Sequence, residues 1–325
     1  MLSHSALTIL SILSVLALVT GSPPVALAAE APPAWAYPVT PADTKPTPDD
    51  GSLRRVPNSA ARYTLTQLRD RFIAPVWHPE EHPPLPPVVA QGRRPDVFAC
   101  GFCHRADGPG GPENSALAGL PATYIVQQMN DYKSGARTTA VAKRNIDLMI
   151  SLAKASTTEE IAEAAAYFAA LKPRQHTRVV ETDTVPKTFI IANHYAVSPA
   201  GEKEALGNRI VEVPEVLDQF VSRDTHARFV AYVPPGSVAR GEALVKSGGA
   251  GKTLACASCH GADLKGTGVI PGIAGRSTNY IVRQLYDMKH GFRGEPSATQ
   301  MLDVVTKLDN GDMLAIAVYL ATLAP

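Results

Sequence analysis

The chain has 325 residues, enough for two domains of ordinary size, and its formal net charge is +1, from 31 basic and 30 acidic side chains. This balance, with neither a basic stripe nor an acidic tail, excludes the protein classes that bind nucleic acid through a strongly basic surface. Past the N-terminus, no segment approaches the length of a membrane span.

The N-terminus has the features of an export signal. Its first 29 residues lack Asp, Glu, Lys and Arg, and an apolar core from Ile9 to Val19 precedes Ala26-Leu27-Ala28. This pattern is typical of a secretory signal with an Ala-x-Ala cleavage site. The alternative is an uncleaved membrane anchor, although a span needs about 18 apolar residues and this run is shorter. We therefore predict a periplasmic protein, soluble or tethered at its N-terminus.

A proline-rich arm follows the signal. Its opening is predicted to be mobile to about Pro57, because proline-rich segments seldom form a packed core. A helix is predicted from Tyr63 to Phe72, and the chain from Pro75 to Pro87 is expected to be extended. Trp77 lies in this extended segment, where ordinary packing is the favoured role and proximity to the first motif described below is the alternative.

Two segments share the pattern Cys-x-x-Cys-His, and together they use all four cysteines. This spacing is typical of covalently attached c-type haem, in which each thiol adds to one vinyl group of the porphyrin and the adjacent histidine ligates the iron. We therefore predict two covalently bound haem c groups. The predicted attachment residues and proximal iron ligands are Cys100, Cys103 and His104 in the first motif, and Cys256, Cys259 and His260 in the second.

The same cysteines could instead form zinc sites or disulfides. Structural zinc takes four N or S ligands, whereas each motif supplies three, and the chain has no further cysteine. A thioredoxin-type Cys-x-x-Cys does not need a following histidine, still less twice. Both alternatives are disfavoured.

The two halves of the chain are copies of one unit. The first motif lies 156 residues before the second, and the same offset aligns a series of further pairs of identical residues. These pairs include Gly119 with Gly275, Tyr124 with Tyr280, Gln128 with Gln284, Asp131 with Asp287, and Arg137 with Arg293.

The repeat also selects candidates for the sixth iron ligand. With an offset of 152 beyond the shared arginine, Met149 aligns with Met301. Paired methionines downstream of the motif match the His/Met ligation of c-type haem iron. We predict Met149 and Met301 as the sixth ligands, and we expect Met129, Met288 and Met313, which lack a methionine counterpart, in the apolar core.

Histidine is the rival sixth ligand. The candidate histidines in or near the second half are His176, His194, His226 and His290. Of these four, only His290 lies inside a haem unit, where it aligns with Ser134. We expect all four at the surface.

The haem units are predicted to be small and helical. Units of about 75 residues cannot build a large core alone, so the haem must provide much of it and the apoprotein should fold poorly. The predicted helices in and around these units are Pro87 to Gly92, Pro121 to Ser134, one beginning at the capping box Ser156-Thr157-Thr158-Glu159, Ser237 to Lys246, Thr278 to His290, and one capped by Asp309 or Asn310.

Between the units, from Lys172 to about Pro235, short β-branched or aromatic runs are separated by proline and glycine. We expect an ordered β-containing insertion that packs across the domain interface, in preference to a flexible loop, because long structureless loops are uncommon in compact proteins. The predicted strands are Arg178 to Val180, Thr188 to Ile191, Arg209 to Val213 and Arg228 to Val233.

These features resemble class I cytochrome c domains and, as a pair, the c4-type dihaem cytochromes. The resemblance is carried by the haem motifs, the paired methionines, the Lys-x-Gly-x-Arg runs that end at Arg137 and Arg293, and the closing segments around Tyr167 and Tyr319. It implies a mainly α fold with two tandem class I cytochrome c domains, packed about a pseudo-twofold axis with their haems close, and a small β-containing insertion. The predicted segments are a signal peptide (1–28), a Pro-rich arm (29–85), cytochrome c domain 1 (86–172), the insertion (173–235) and cytochrome c domain 2 (236–325).

The first half departs from the family pattern. A proline carbonyl usually orients the proximal histidine, and Pro271 fits that place, whereas the first half has Ser115 there and Pro112 nearby. Arg105 replaces the usual glycine, which the second half keeps as Gly261. We therefore expect the two haems to differ in the surroundings of the proximal histidine.

The resemblance implies an electron carrier rather than an enzyme. It would transfer single electrons between a dehydrogenase and a terminal oxidase or reductase, and would contact a membrane only through partners or an uncleaved anchor. His/Met ligation leaves no open iron position and so argues against peroxide chemistry. Two alternatives remain, a dedicated subunit of a periplasmic dehydrogenase complex and, less favoured, a dihaem peroxidase-type enzyme. A thiosulfate-oxidising dihaem enzyme with a cysteine ligand would need a fifth cysteine.

Overall fold

The computed structural model describes residues 1–2, 30–142 and 144–325, and Pro32–Pro325 form one compact unit. The apolar core and cleavage motif of the predicted signal lie outside the described residues. Within the described ranges, no helix combines the length and the apolarity that crossing a bilayer requires.

The fold is mainly helical where the sequence predicts helices. Thr157 is the N-cap of α6 and forms a capping box with Glu160, one residue later than predicted. Asp309 caps α12, as predicted, and the side chain of Ser277 caps α10. In chain order the helices are α1 (Leu65–Arg69), α2 (Pro87–Ala90), α3 (Cys100–His104), α4 (Ala122–Ser134), α5 (Arg144–Ala155), α6 (Thr158–Ala170), α7 (Leu217–Val221), α8 (Ser237–Ser247), α9 (Ala257–His260), α10 (Thr278–Lys289), α11 (Leu302–Val305) and α12 (Asn310–Thr322).

The insertion contains the expected strands. In its three-stranded sheet the order is β1-β7-β6, with β7 parallel to β1 and antiparallel to β6. Two further antiparallel pairs, β2 with β5 and β3 with β4, complete the insertion, and β8 pairs with β9 after the second motif. The strands are β1 (Thr177–Glu181), β2 (Thr184–Pro186), β3 (Thr188–Ile191), β4 (His194–Val197), β5 (Lys203–Ala205), β6 (Val211–Pro214), β7 (Phe229–Val233), β8 (Gly266–Thr267) and β9 (Ile270–Pro271).

The core of the second half is built on helices that pack at very short distance. Gly241 of α8 lies against α12, and a Cβ at this position would lie 2.0 Å from the carbonyl oxygen of Ala315. Only glycine allows this approach of two backbones. The tight α8–α12 pair supports one side of the second haem unit.

The prediction of surface histidines is wrong for His176 and His194, which are 7% and 1% exposed. Both rings pack edge-on against Phe229, and the ring of His194 also makes a tilted contact with Phe220. The insertion has its own aromatic core, and the histidines belong to it. His226 and His290 are half-buried.

The buried His176 predicts a pH-dependent stability. Burial lowers its pKa from 6.5 to about 4, so between these values the unfolded chain binds a proton that the folded chain does not. The free energy of unfolding is highest above pH 6.5 and falls as the pH drops towards 4, by up to about 3 kcal/mol from this group. Denaturant unfolding of His176→Gln across this range should show a shallower pH dependence than the wild type. If the free energy of unfolding depended on pH equally in the variant and the wild type, the lowered pKa of His176 would be contradicted.

The opening of the arm is ordered around Ala36 and Tyr37, contrary to the predicted mobility. Both residues are buried; the Tyr37 hydroxyl donates to Asp287 at 2.8 Å, and Arg283 Nη1 donates to the Ala36 carbonyl at 2.9 Å. The arm is held because its aromatic and backbone groups satisfy buried polar groups on α10.

Trp77 also has a packing role. Its ring is 1% exposed, packs with Val56 and Leu68, and donates its indole N–H to the Ser222 carbonyl at 2.8 Å. The arm and the insertion are therefore in direct contact.

Candidate haem sites

The first motif forms one helical turn, α3. Residues three and four apart lie on the same face of a helix, so Cys100, Cys103 and His104 point to one side. His104 is 9% exposed, and its Nδ1 donates to the Ser115 carbonyl at 2.8 Å. This hydrogen bond fixes the tautomer and leaves Nε2 free to ligate iron. Burial lowers the pKa of His104, which favours the neutral imidazole that a metal requires.

The second motif repeats this arrangement. His260 ends α9, and its Nδ1 donates to the Pro271 carbonyl, also at 2.8 Å. Ser115 therefore does for His104 what the proline does for His260, and the expected difference between the sites is absent from this contact. Pro112 has another role, since its carbonyl accepts from Arg283.

A cavity of about 670 Å³ lies beside the first motif. Its volume is in the range of cofactor sites, and its lining is largely apolar. The predicted thiols, proximal histidine and sixth ligand of the first half all line it, namely Cys100, Cys103, His104 and Met149. The donor set and the space therefore fit a covalently bound haem.

The structure adds one methionine to this cavity. Met129 on α4 packs against the apolar core of the first half, as predicted, and it also lines the cavity because α4 forms one cavity wall. Met149 lies on α5. The repeat distinguishes the two methionines, since only Met149 has a methionine counterpart.

The second half positions its methionines differently. Met301 ends a 3-10 helix, Pro296–Met301, is half-buried, and packs against the same apolar cluster as Cys256. Met313 on α12 is 1% exposed and belongs to the core, as predicted, and the partly buried Met288 packs against this core.

Burial affects three of the four thiols. It raises the pKa of Cys100 to about 12 and that of Cys256 to about 11, and it also raises that of Cys103. Cys259 is exposed, and the four cysteines form no disulfide. The absence of a disulfide disfavours that alternative to haem attachment.

Residues shared by the repeat meet between the two haem units. Arg137 donates to Gln128 and, at 2.9 Å, to Gln284, while Arg293 donates to Gln284 at 3.2 Å and to Gln128 at 2.8 Å. The backbones of the two arginines also form an isolated antiparallel bridge. We call these four side chains the junction. The sequence repeat identified these residues as equivalent pairs, but it did not predict that the side chains of one unit contact those of the other.

A second cavity of about 110 Å³ extends from the first site into the junction. Its walls include His104 and Met149 from the first half and Tyr280 from the second, together with the buried cations Arg137 and Arg283. Buried cations need acidic or hydrogen-bonding partners. Both arginines have them, because Arg137 donates to Gln128 and Gln284, and Arg283 donates to the carbonyls of Ala36 and Pro112. The carboxylates of Glu113 and Asp287 line the same cavity.

Glu295 makes the junction sensitive to mutation. Its side chain is fully buried and accepts from Nε of Arg293 at 2.8 Å. Removing the cation leaves a buried charge without compensation, so Arg293→Met should lower the free energy of unfolding by about 3–5 kcal/mol. Combining it with Glu295→Gln should restore much of this loss, as measured by denaturant unfolding. A double variant no more stable than Arg293→Met would contradict the pairing.

Comparison with known proteins gives the family. The family model described as "Cytochrome c" matches residues 238–324. Cytochrome c-554(547) of Halothiobacillus neapolitanus is 35% identical over 85 residues, which cover 93% of that protein and 23% of this chain. The chain belongs to the cytochrome c family. As a member it carries covalently bound haem c, two groups as predicted, and its function is electron transfer.

Longer alignments confirm the predicted resemblance to dihaem cytochromes. Cytochrome c4 of Pseudomonas aeruginosa is 26% identical over 229 residues, covering 69% of this cytochrome and 83% of that protein. A thiosulfate dehydrogenase electron acceptor of Thiomonas intermedia is 26% identical over 231 residues, covering 70% and 79%. About three tenths of this cytochrome therefore lies outside each alignment.

Proposed function

We propose that this cytochrome is a periplasmic dihaem electron carrier with two tandem class I domains, residues 86–172 and 236–325, joined by the insertion 173–235 and preceded by the arm 29–85. When bound, haem c supplies reversible one-electron exchange at its iron. The observation that carries the proposal is that both thiols, the histidine and the paired methionine of the first half line one cavity.

The ligand set defines the chemistry. We assign covalent attachment to the four cysteines, proximal ligation to His104 and His260, and sixth ligation to Met149 and Met301. Each histidine is oriented by a carbonyl at 2.8 Å, which would hold the ring and its tautomer towards a bound iron. If a histidine and a methionine both held the iron, no position would remain for substrate, which favours a carrier over a peroxidase-type enzyme.

The junction supports transfer between the sites. It joins the two units through hydrogen bonds between repeated side chains, and the 110 Å³ cavity at this interface reaches the ligands of the first site. Gln128, Arg137 and Arg293 are buried, and side chains in a buried hydrogen-bond network move little, so the junction would hold the two sites at a fixed separation. Electrons received at one site can then pass to the other within the chain.

For the partners, we propose a dehydrogenase as donor and an oxidase or reductase as acceptor. The T. intermedia relative is named as the electron acceptor of a thiosulfate dehydrogenase. This name favours a donor of the same class and keeps a dedicated dehydrogenase subunit as the second candidate.

The test uses the holoprotein with a purified thiosulfate dehydrogenase. Enzyme and thiosulfate together should reduce both haems, and absorption spectra should show an uptake of two electrons per chain. The cytochrome alone should not oxidise thiosulfate, and it should not use peroxide to oxidise a small electron donor. Peroxide turnover by the cytochrome alone would overturn the carrier assignment. Purification of a fixed 1:1 complex from the native periplasm would favour the subunit over the free carrier.

A further inference from the structure

The first haem cavity is covered by segments from outside the two proposed cytochrome domains. One segment belongs to the arm and one to the insertion. We call this set the lid. It consists of Val39, Thr40, Pro41, Ala42, Thr44, Arg69 and Arg71 of the arm, and of Ala192, Asn193 and Arg223 of the insertion.

The two parts of the lid are joined by reciprocal hydrogen bonds. The Thr40 amide donates to Asn193 Oδ1 at 2.9 Å, and the Asn193 amide donates to Thr40 Oγ1 at 2.8 Å. Asn193 lies in the turn between β3 and β4 with φ of 59°, a left-handed conformation that asparagine tolerates better than most residues. The residue type and the turn together place its amide side chain against the arm.

The lid is also joined to the elements that carry the axial ligands. Asn193 Nδ2 donates to Asn145 Oδ1 at 2.8 Å, and Asn145 lies on α5 one turn before Met149. Asn145 Nδ2 donates to Asn114 Oδ1 at 3.1 Å, and Asn114 Nδ2 to the Cys103 carbonyl at 3.1 Å. A continuous chain of amides therefore runs from the lid to the haem motif.

Arg223 fixes the lid directly over the motif. Its guanidinium lies 3.6 Å from the centre of the Phe102 ring, a cation–π contact. Nη1 donates to the Phe102 carbonyl at 3.0 Å, and Nε donates to the Leu68 carbonyl of the arm at 3.1 Å. One insertion residue thus binds both the arm and the Cys-x-x-Cys turn, and Phe102 is only 5% exposed.

Among the residues that the structure describes, none covers the second motif in this way. Ser258, the counterpart of Phe102, and Cys259 are both exposed. Leu254, just before this motif, and Leu302, just after Met301, are also exposed, at 53% and 43%. The equivalent position of the repeated motif is therefore covered in the first half, at Phe102, and exposed in the second, at Ser258.

We propose that the lid separates the first haem site from other proteins, so that it exchanges electrons with them only by way of the second site. Each transfer oxidises one ferrous iron and reduces one ferric iron, and no bond is made or broken. This inference rests on the proposed carrier function and specifies which of its two sites meets the partner. The first site then acts as an internal electron store.

Two single-haem variants test the proposal. Cys256→Ala with Cys259→Ala retains only the first haem, and Cys100→Ala with Cys103→Ala retains only the second. With a soluble monohaem cytochrome c as oxidant in stopped flow, the reduced first-haem variant should react at least about tenfold more slowly than the second-haem variant, because the lid must open locally before contact. Haem content and circular dichroism establish that each variant is loaded and folded.

Loosening the lid provides the matched comparison. Asn193→Gly keeps the left-handed turn but removes both side-chain hydrogen bonds, and should accelerate the first-haem variant. Glu202→Gln, an exposed insertion residue that does not line the cavity, should leave the rate unchanged. In the intact dihaem protein, Asn193→Gly should likewise let the oxidant react directly with the first haem. The part of the absorbance change that belongs to the first haem should then be faster than in the wild type.

Equal rates for the two single-haem variants, or no acceleration by Asn193→Gly, would overturn the lid and leave the carrier function standing. If ferricyanide oxidises both variants but neither they nor the dihaem protein react with any redox protein, the carrier function itself fails.

Discussion

Replacing Cys100 and Cys103 with serine should reduce the covalently bound haem from two groups per chain to one. Serine offers no thiol to the porphyrin vinyl groups, so the first haem is not attached. The loss should also destabilise residues 86–172, because the 670 Å³ cavity would remain inside a unit too small to be stable without its cofactor. Haem absorbance per chain after denaturing extraction measures the first effect, and thermal unfolding measures the second.

The matched changes sharpen this result. Cys256→Ser with Cys259→Ser should also leave one haem, whereas Ser258→Ala, inside the second motif but without a thiol, should leave two. Two covalent haems in either double-serine variant would contradict the attachment assignment. Stoichiometric zinc in the wild type would contradict it independently.

The second large effect is expected from the methionines. Met149→Leu should remove half of the methionine-to-iron charge-transfer absorption at the red edge of the ferric spectrum, because leucine fills the space without offering a sulfur ligand. Met301→Leu should remove the other half. Met129→Leu should retain the full band, although Met129 lines the same cavity.

This comparison decides between two methionines that the cavity alone leaves equivalent. Retention of the full band in Met149→Leu, or its halving in Met129→Leu, would transfer the sixth-ligand role to α4. In that case the repeat, which pairs Met149 with Met301 and gives Met129 a leucine counterpart, would have misidentified the ligand.

The sequence predicted local features well because their causes are local. The helix after Pro121 ends where Gly135 adopts the left-handed conformation, and Ser277 caps its copy through a hydrogen bond between near neighbours. The haem motif is likewise a short-range pattern, with its chemistry contained in five consecutive residues. The carbonyl of Ser115 could be nominated because the repeat aligns it with Pro271.

The predictions that failed concern contacts between distant parts of the chain. Histidine is a polar residue type, so His176 was expected at the surface. The parallel pairing of β1 with β7 places it against Phe229. Tyr37 was expected in a mobile arm because that segment is rich in proline, but it contacts Arg283 and Asp287, which are distant in sequence. No local rule predicts such burial, since it depends on tertiary packing.

The sequence correctly predicted that the two haem sites differ, but it placed the difference at the hydrogen bond of the proximal histidine, where the structure shows none. Arg105 and Ser115 mark the first half as unusual, yet the histidine–carbonyl distance is the same at both sites. The difference lies in what covers the motif, namely Arg223 over Phe102 in the first half and exposed Ser258 in the second. The arm and the insertion produce this difference, and neither belongs to the repeat.

The most direct test of the central claim is a potentiometric titration of the holoprotein followed by absorption spectra. The account predicts two one-electron steps at different potentials, with both haems six-coordinate and low-spin in the oxidised and reduced states. Uptake of one electron per chain, or a high-spin haem that binds added carbon monoxide without displacing a methionine, would contradict a carrier with two closed His/Met sites.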